Sequence, residues 1–288
     1  MKLSISNIAW DTPDDEKVYG LMKELGFTGL EIAPTRIFPD RPYEQIVKAR
    51  EWKKDIYERY GFRIPSMQSI WYGRQEKLFG TEEEREILLS YTKKAVDFAE
   101  AVGCGNLVFG CPKNRMIPDE IYDRVKGIRS PGGSDDTADI EAAGKITDTA
   151  VRFFKEIGDY ACEHHTVIAM EANPKIYNTN FINTTQEALE LIGEVGSDGF
   201  KLNLDTGTMI ENNESPDVIR EKGNLINHVH ISEPYLKPIG RRSLHRELIN
   251  WLREIDYQGW VSIETGRNDG GLDKLHEMMG YLAEEIKV

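Results

Sequence analysis

Short β-type runs alternate with long amphipathic helical stretches from one end of this chain to the other, and that alternation constrains the fold more than any other feature. Strands are expected at 2–9, 28–32, 63–69, 106–110, 166–171, 201–205, 227–232 and 260–264, several introduced by a glycine turn such as LGFTG, YGF, VGCG or YQG. Between them lie helices with apolar residues at three- and four-residue spacing. In 81–102 these are Ile87, Leu88, Tyr91, Ala95, Phe98 and Val102, with Thr81 and Glu84 spaced as a capping box; Thr184 and Glu187 repeat that signal before 184–195. Such βα alternation argues a mostly parallel sheet covered by helices. Eight repeats in 288 residues match an α/β fold, a single (β/α)8 TIM barrel occupying residues 1–288, with a doubly wound open sheet as the alternative.

Composition narrows the partners. The 36 Lys+Arg and 49 Asp+Glu leave a formal charge of −13, so the chain repels a phosphate backbone and no nucleic-acid partner is expected. No apolar run is long enough to span a bilayer, so no membrane partner is expected either, and MKLSISNIAW reads as a first strand rather than a signal peptide. Cys104, Cys111 and Cys162 are few, odd in number and without a CxxC pair, which fits a reducing, cytoplasmic setting. Homo-oligomerisation is left open.

One segment departs from the regular spacing. Residues 112–144, after the fourth strand, are rich in Pro, Gly, Asp and Ser and include RSPGGSDDTAD. A loop of that length in a compact domain is usually a lid or binding loop. Following a strand, it belongs on the catalytic face of a barrel; a plain solvated insertion is the alternative.

The sharpest chemical signal is where strands end. The fifth ends on Glu171, the sixth on Asp205 and the eighth on Glu264, while the seventh contains His228 and His230. Alternation puts Leu202, Leu204, Val229, Ile231, Val261 and Ile263 toward the helices. Asn203, Asp205, both histidines, Ser262 and Glu264 then point to the barrel axis. Three carboxylates so close would repel one another unless a cation neutralised them. Glu171, Asp205, His230 and Glu264 are therefore the candidate ligands of one divalent metal ion, and an oxygen-rich set with one imidazole suits Mn, Mg, Co or Zn. By the same parity Glu31, Gln68 and His228 face inward as candidate substrate contacts. Trp10, Asn173, Glu233, Arg241 and His245 join them from the loops of the same end, with Lys113 and Arg115 as further rim candidates. His164 and His165 precede the fifth strand, at the opposite end.

The ordered series EANP…Y, LDTG, HVHISEP and SIETG resembles the xylose isomerase-like TIM-barrel superfamily, which includes ketose 3-epimerases, hydroxypyruvate isomerase, inosose isomerase and dehydratase, and endonuclease IV. The resemblance covers nearly the whole chain. It implies Glu171, Asp205, His230 and Glu264 as metal ligands, with Glu171 and Glu264 doubling as the catalytic acid and base. Three positions depart from the pattern. Thr208 stands where many members have a histidine three residues after the sixth-strand aspartate. Leu236 stands where ketohexose epimerases carry an arginine, and Tyr177 replaces their glutamate. The trinuclear zinc cluster of the endonuclease cannot be assembled, because Gln68, Cys111 and Thr208 occupy places that would have to be histidine.

The function expected is a divalent-metal-dependent isomerase or epimerase acting on a keto sugar or related polyol through an enediolate. A lyase dehydrating an inosose or keto sugar and a catalytically silent sugar-binding barrel are the alternatives.

Overall fold

The computed structural model describes residues 1–126 and 136–287. Seven parallel strands form one sheet: β1 Lys2–Ser6, β2 Gly29–Glu31, β3 Leu107–Phe109, β4 Ile168–Met170, β5 Phe200–Asp205, β6 Ile226–Ile231 and β7 Trp260–Ile263. Their order is β2-β1-β7-β6-β5-β4-β3. The helices are α1 Asp15–Leu25, α2 Pro34–Ile37, α3 Ile46–Tyr60, α4 Glu82–Val102, α5 Asp119–Val125, α6 Thr137–Glu163, α7 Thr185–Val195, α8 Thr206–Glu211, α9 Ser243–Glu254 and α10 Gly271–Lys287.

The expected third strand, 63–69, is not a regular strand, yet it occupies the gap between β2 and β3. It touches β2 through the bridges Gly29–Arg63 and Ile32–Met67, and β3 through Met67–Leu107. Pro65 has no N–H and interrupts the ladder, so the backbone bonds come in separate groups: Arg63 N–H to Thr28 O, Leu30 N–H to Arg63 O, then Gln68 N–H to Ile32 O and Val108 N–H to Met67 O. Those bonds close the ring that the eightfold repeat anticipated. Most other strands are shorter than expected at the end where the chain turns outward; β1 stops at Ser6 and Asn7–Ala9 is a 3-10 turn.

Both capping boxes form, at Thr81 with Glu84 before α4 and at Thr184 with Glu187 before α7. The apolar stripes of the helices pack on the outward face of the sheet: Leu88, Ala95, Phe98 and Val102 of α4, and Phe154, Ile157 and Ala161 of α6, are buried. Where α6 crosses the approach to β5, a Cβ on Gly199 would stand 1.9 Å from Gly158 O, so only glycine permits that contact. The insertion after β3 is shorter than expected, because α6 begins at Thr137 and Gly144 is inside it; of the remainder, 112–114 is a 3-10 turn and Asp119–Val125 a short helix. Residues 127–135, including most of RSPGGSDDTAD, lie outside the described residues.

The axis of the barrel is polar. Register aligns Ser4 with Ser262, Ser262 with His230 and His230 with Asp205. The two serines, both fully buried, leave room for the imidazoles of His228 and His230, whose centroids are 5.3 Å apart at 87°.

On the outer ring, α9 buries His245 against α10, with its Nδ1 3.4 Å from the Tyr281 hydroxyl. Burial pushes this imidazole down to about 4. The unfolded chain therefore takes up a proton below about 6.5 that the folded one refuses until about 4. That contribution to stability is complete above pH 6.5 and is lost as the pH falls toward 4, at roughly 1.4 kcal/mol per pKa unit of separation. Urea titrations at pH 7, 5.5 and 4.5 should show His245→Leu losing less stability over this range than the parent; identical slopes would dismiss the assignment.

Candidate active site

Every one of the four carboxylate and imidazole candidates arrives at the same end of the barrel because each strand there stops on an inward-facing residue. Glu171 follows β4, Asp205 ends β5, His230 is the last inward residue of β6, and Glu264 follows β7. One donor atom from each lies within 4.8 Å of the others, and all four side chains are largely or wholly withdrawn from solvent.

His230 organises the group. Its Nδ1 is 3.0 Å from Glu171 Oε1 and 3.4 Å from Glu264 Oε2, while its Nε2 is 2.9 Å from Glu31 Oε2 on the far side. Asp205 is held by Ser232 Oγ, which donates to Oδ2 at 2.5 Å, and by the Thr208 N–H, which donates to Oδ1 at 2.6 Å. Asn203 Nδ2 donates to Glu171 Oε1 at 2.8 Å and lies 3.2 Å from His230 Nδ1. Gly110 makes space for Glu171, since a Cβ there would be 3.1 Å from its Oε2.

Electrostatics show a site short of positive charge. Burial and then the neighbouring Glu171 carboxylate raise Asp205 to about 6. Burial, against the help of His230 and aided by repulsion from Glu171 and Asp205, raises Glu264 to about 7. Beneath them, burial would raise Glu31 too, but the two histidines hold it well below the ordinary carboxylate range. Burial works against the charge on His230, yet Glu31, Glu264 and Glu171 keep its imidazole well above its usual value. Three acids and one imidazole around one point, two of the acids raised by burial and mutual repulsion, is the donor set that fits a divalent ion.

Glu31 and His228 were expected to touch substrate, and the structure corrects this. They are 0% and 1% exposed, a layer below the carboxylate ring, with Glu31 Oε2 3.0 Å from His228 Nε2. Gln68 Nε2 donates to Glu31 Oε1 at 3.0 Å and to Ser6 Oγ at 2.7 Å, which fixes Glu31 from its other side. Gln68 also borders a cavity of about 440 Å³ whose walls include Trp71, Cys111, Asn173, Glu171 and Glu264. Asn173 lines it directly, its Nδ2 donating to Glu171 Oε2 at 3.2 Å. Cys111 is an inert wall, its thiol pushed up to about 12 by burial.

Four loop candidates have structural partners instead. Trp10 is 3% exposed, donates from Nε1 to Asp15 and carries the Arg36 guanidinium over its ring. Glu233 receives two hydrogen bonds from Arg242, at 2.6 and 2.5 Å. Arg241 pairs with Glu284 on α10, and His245 is enclosed between α9 and α10. None of the four borders the 440 Å³ cavity. A surface setting does hold for His164, which lies 3.0 Å from Glu100.

Two residues prove more important than their sequence context signalled. Arg115, one of the rim candidates, is fully buried behind the site; its Nη2 donates to Glu171 O at 3.0 Å, to Asn173 Oδ1 at 2.9 Å and to Ile182 O at 3.3 Å. Burial lowers it to about 10, still a cation at neutral pH. Nothing in the surrounding CPKNRMIP announces this. Tyr177 stands above the ring, its phenol pushed up to about 12 by burial and then by Asp205, Glu264 and Glu171, while its oxygen accepts from the Tyr235 N–H at 2.8 Å.

Known proteins share this architecture. A D-psicose 3-epimerase of Enterocloster bolteae is 36% identical over 124 residues, covering 42% of this chain and 41% of the epimerase. An L-ribulose 3-epimerase of Methylomonas sp. strain DH-1 is 30% identical over 118 residues, covering 40% and 41%. The similarity thus spans about two-fifths of these relatives' length. Among solved structures, the 3-keto-D-glucoside 4-epimerase YcjR of E. coli superposes with a TM-score of 0.71 at 21% identity over 100% of both chains. Residues 20–285 match the family described as xylose isomerase-like TIM barrel, and the chain belongs to that family.

Proposed function

We propose that this protein is a divalent-metal-dependent epimerase or isomerase of a keto sugar. The observation that carries the reading is the convergence of Glu171, Asp205, His230 and Glu264 at a cavity bordered by two of them, Glu171 and Glu264. Relatives named as ketose 3-epimerases support the substrate class. The three free cysteines fit the cytoplasmic setting, and among the described residues no helix is long and apolar enough to cross a membrane.

One ion of Mn, Mg, Co or Zn, held by these four residues, would act as a Lewis acid toward the carbonyl oxygen of the substrate. The protein does the proton chemistry. Glu171 and Glu264 come from strands separated by β5 and β6, so they meet the substrate from different sides. One removes the proton beside the carbonyl and the other returns a proton, the paired arrangement that epimerisation needs. Asn173, Asn203 and Arg115 hold Glu171 in place.

Glu31 has a positioning role. By holding Nε2 of His230 at 2.9 Å it fixes the ring and turns Nδ1 toward Glu171 and Glu264, where it would face the ion, the carboxylate–histidine support common behind metal ligands.

Three outcomes follow. Metal analysis after loading and desalting should find about one ion per chain, as a mononuclear site requires, and Asp205→Ala and His230→Ala should lose it; full retention in both would defeat the assignment. Glu31→Gln should keep the four ligands but bind the ion about 10- to 100-fold more weakly, measured by chelator competition; unchanged affinity would remove its positioning role. With a ketose screened by NMR and product mass, Glu171→Gln and Glu264→Gln should each lose at least about 100-fold in turnover. The parent in D2O should yield an isomer with deuterium at the inverted or reduced carbon, and substantial turnover in both variants would overturn the two-carboxylate mechanism.

A further inference from the structure

Beside the catalytic cavity lies a second of about 660 Å³, formed by the loops after β1, β2, the 63–69 segment and β7, together with α4. Ser69, Tyr72, Gly73 and Arg74 border both cavities, so the two adjoin. In a chain of formal charge −13, this second cavity is bordered by Arg36, Arg41, Arg74, Lys94 and Arg267 and by one acid, Glu44, while Asp15, Glu76 and Asp11, outside its lining, pair with Arg36, Arg74 and Arg267.

We propose that this basic cavity receives an anionic group, a phosphate or a carboxylate, carried by the keto sugar whose reacting carbons sit at the metal ligands. The proposal rests on the epimerase reading above and specifies its substrate.

Three features argue for an anion. First, Arg41 and Lys94 share the single carboxylate of Glu44, at 3.1 and 3.6 Å, which leaves one positive charge in excess. Second, several of these pairs are readily exchanged. Arg41 is 82% and Arg267 64% exposed, and such pairs hold little net energy, so a ligand oxygen can replace the protein carboxylate. Third, Arg36 is built in rather than draped on the surface. Its side chain is 11% exposed, one edge is bound to Asp15 at 2.7 Å, the ring of Trp10 lies beneath it, and its buried Nε has no partner. Guanidinium groups arrayed in this way suit the oxygens of phosphate or carboxylate.

The first cavity carries Glu171 and Glu264 on its wall together with Arg74, Lys77 and Lys113, whereas the second carries five cations and Glu44. A keto sugar with its anionic group among the cations of the second cavity would have its hydroxy-ketone end toward the two glutamates. Tyr72, 71% exposed where the cavities join, offers an aromatic face to the carbon skeleton between them.

The test compares D-fructose, D-fructose 6-phosphate and D-tagaturonate by calorimetry on the metal-loaded protein. At least one charged ketose should bind about tenfold or more tightly than D-fructose, and the advantage should shrink as salt rises from about 0.05 to 0.5 M. The phosphate and carboxylate arms decide which group fits. The advantage should fall below about threefold in Arg41→Gln/Lys94→Gln and persist in Lys17→Gln/Arg59→Gln, which removes the same charge at α1 and α3. No preference for either charged ketose, or a preference that survives Arg41→Gln/Lys94→Gln, overturns the proposal. Deuterium exchange from D2O into a neutral ketose reports on the epimerase reading separately. Exchange without a charge preference removes the subsite alone; a charge preference lost in Arg41→Gln/Lys94→Gln, with no exchange into any ketose, removes the epimerase reading alone.

Discussion

One imidazole with carboxylates at both of its nitrogens is the contact on which this end of the barrel depends. His230 is wholly buried, with Glu31 against Nε2 and Glu171 and Glu264 against Nδ1. Charges withdrawn from water persist only when paired and hydrogen-bonded. Glu31 meets that condition through His228, His230 and Gln68, and its carboxyl stays ionised. The upper acids do not meet it by themselves, so Asp205 and Glu264 retain protons at a pH where exposed carboxylates have lost them. The lower layer is complete within the protein, and the upper layer is a donor set that suits an added cation.

This division follows from strand register. Asp205 pairs with His230 and His230 with Ser262 across three adjacent strands, so the ladder itself places these two candidate ligands. A side chain on a strand end inherits the rigidity of the ladder beneath it. The inward serines perform a complementary task, since a larger residue at Ser4 or Ser262 would occupy the space of the imidazoles. Arg115, Asn173 and Asn203 then restrict Glu171 beside its contact with His230, so this strand-end acid is held from several directions.

Most of this centre was legible in the sequence because it obeys a period of two. Alternation of Leu202, Asn203, Leu204 and Asp205, and of His228, Val229, His230 and Ile231, tells which side chains face the axis. What alternation cannot tell is depth. Glu31 and His228 share the inward parity of the ligands but lie one layer lower, and parity carries no information about layer. Loop residues are harder still, because their partners come from distant parts of the chain. Trp10 has the chemistry of a pocket wall, but Asp15 and Arg36 hold it away from the cavity, and Arg241 and His245 belong to contacts with α10 some forty residues away. Pro65 is visible as a letter, yet the run around it still reads as a strand. The missing N–H splits that run into isolated bridges without opening the ring.

The departures from the ketohexose epimerase pattern acquire a physical meaning in the folded chain. Thr208 donates from Oγ1 to Ala172 O at 2.7 Å and so fastens the start of α8 to the end of β4. Leu236 has φ +52° and follows Tyr235 at φ +62°, a conformation rare for side-chain-bearing residues. The Leu236 carbonyl accepts from the Gly266 N–H at 2.8 Å and from Thr265 Oγ1 at 3.1 Å, which pins this loop to the one after β7. Tyr177 in turn accepts from the Tyr235 N–H. Three positions that carry polar or charged side chains elsewhere in the family are here absorbed into contacts between loops. Residues held in sparsely populated backbone regions tend to cluster at functional sites, where the surrounding structure over-determines them. The consequence is a mouth stiffened on the side of β4, β5 and β6. The open and basic side lies across the barrel, by β1, β2 and the 63–69 segment, and it is there that this chain has room to recognise a substrate different from a plain ketohexose.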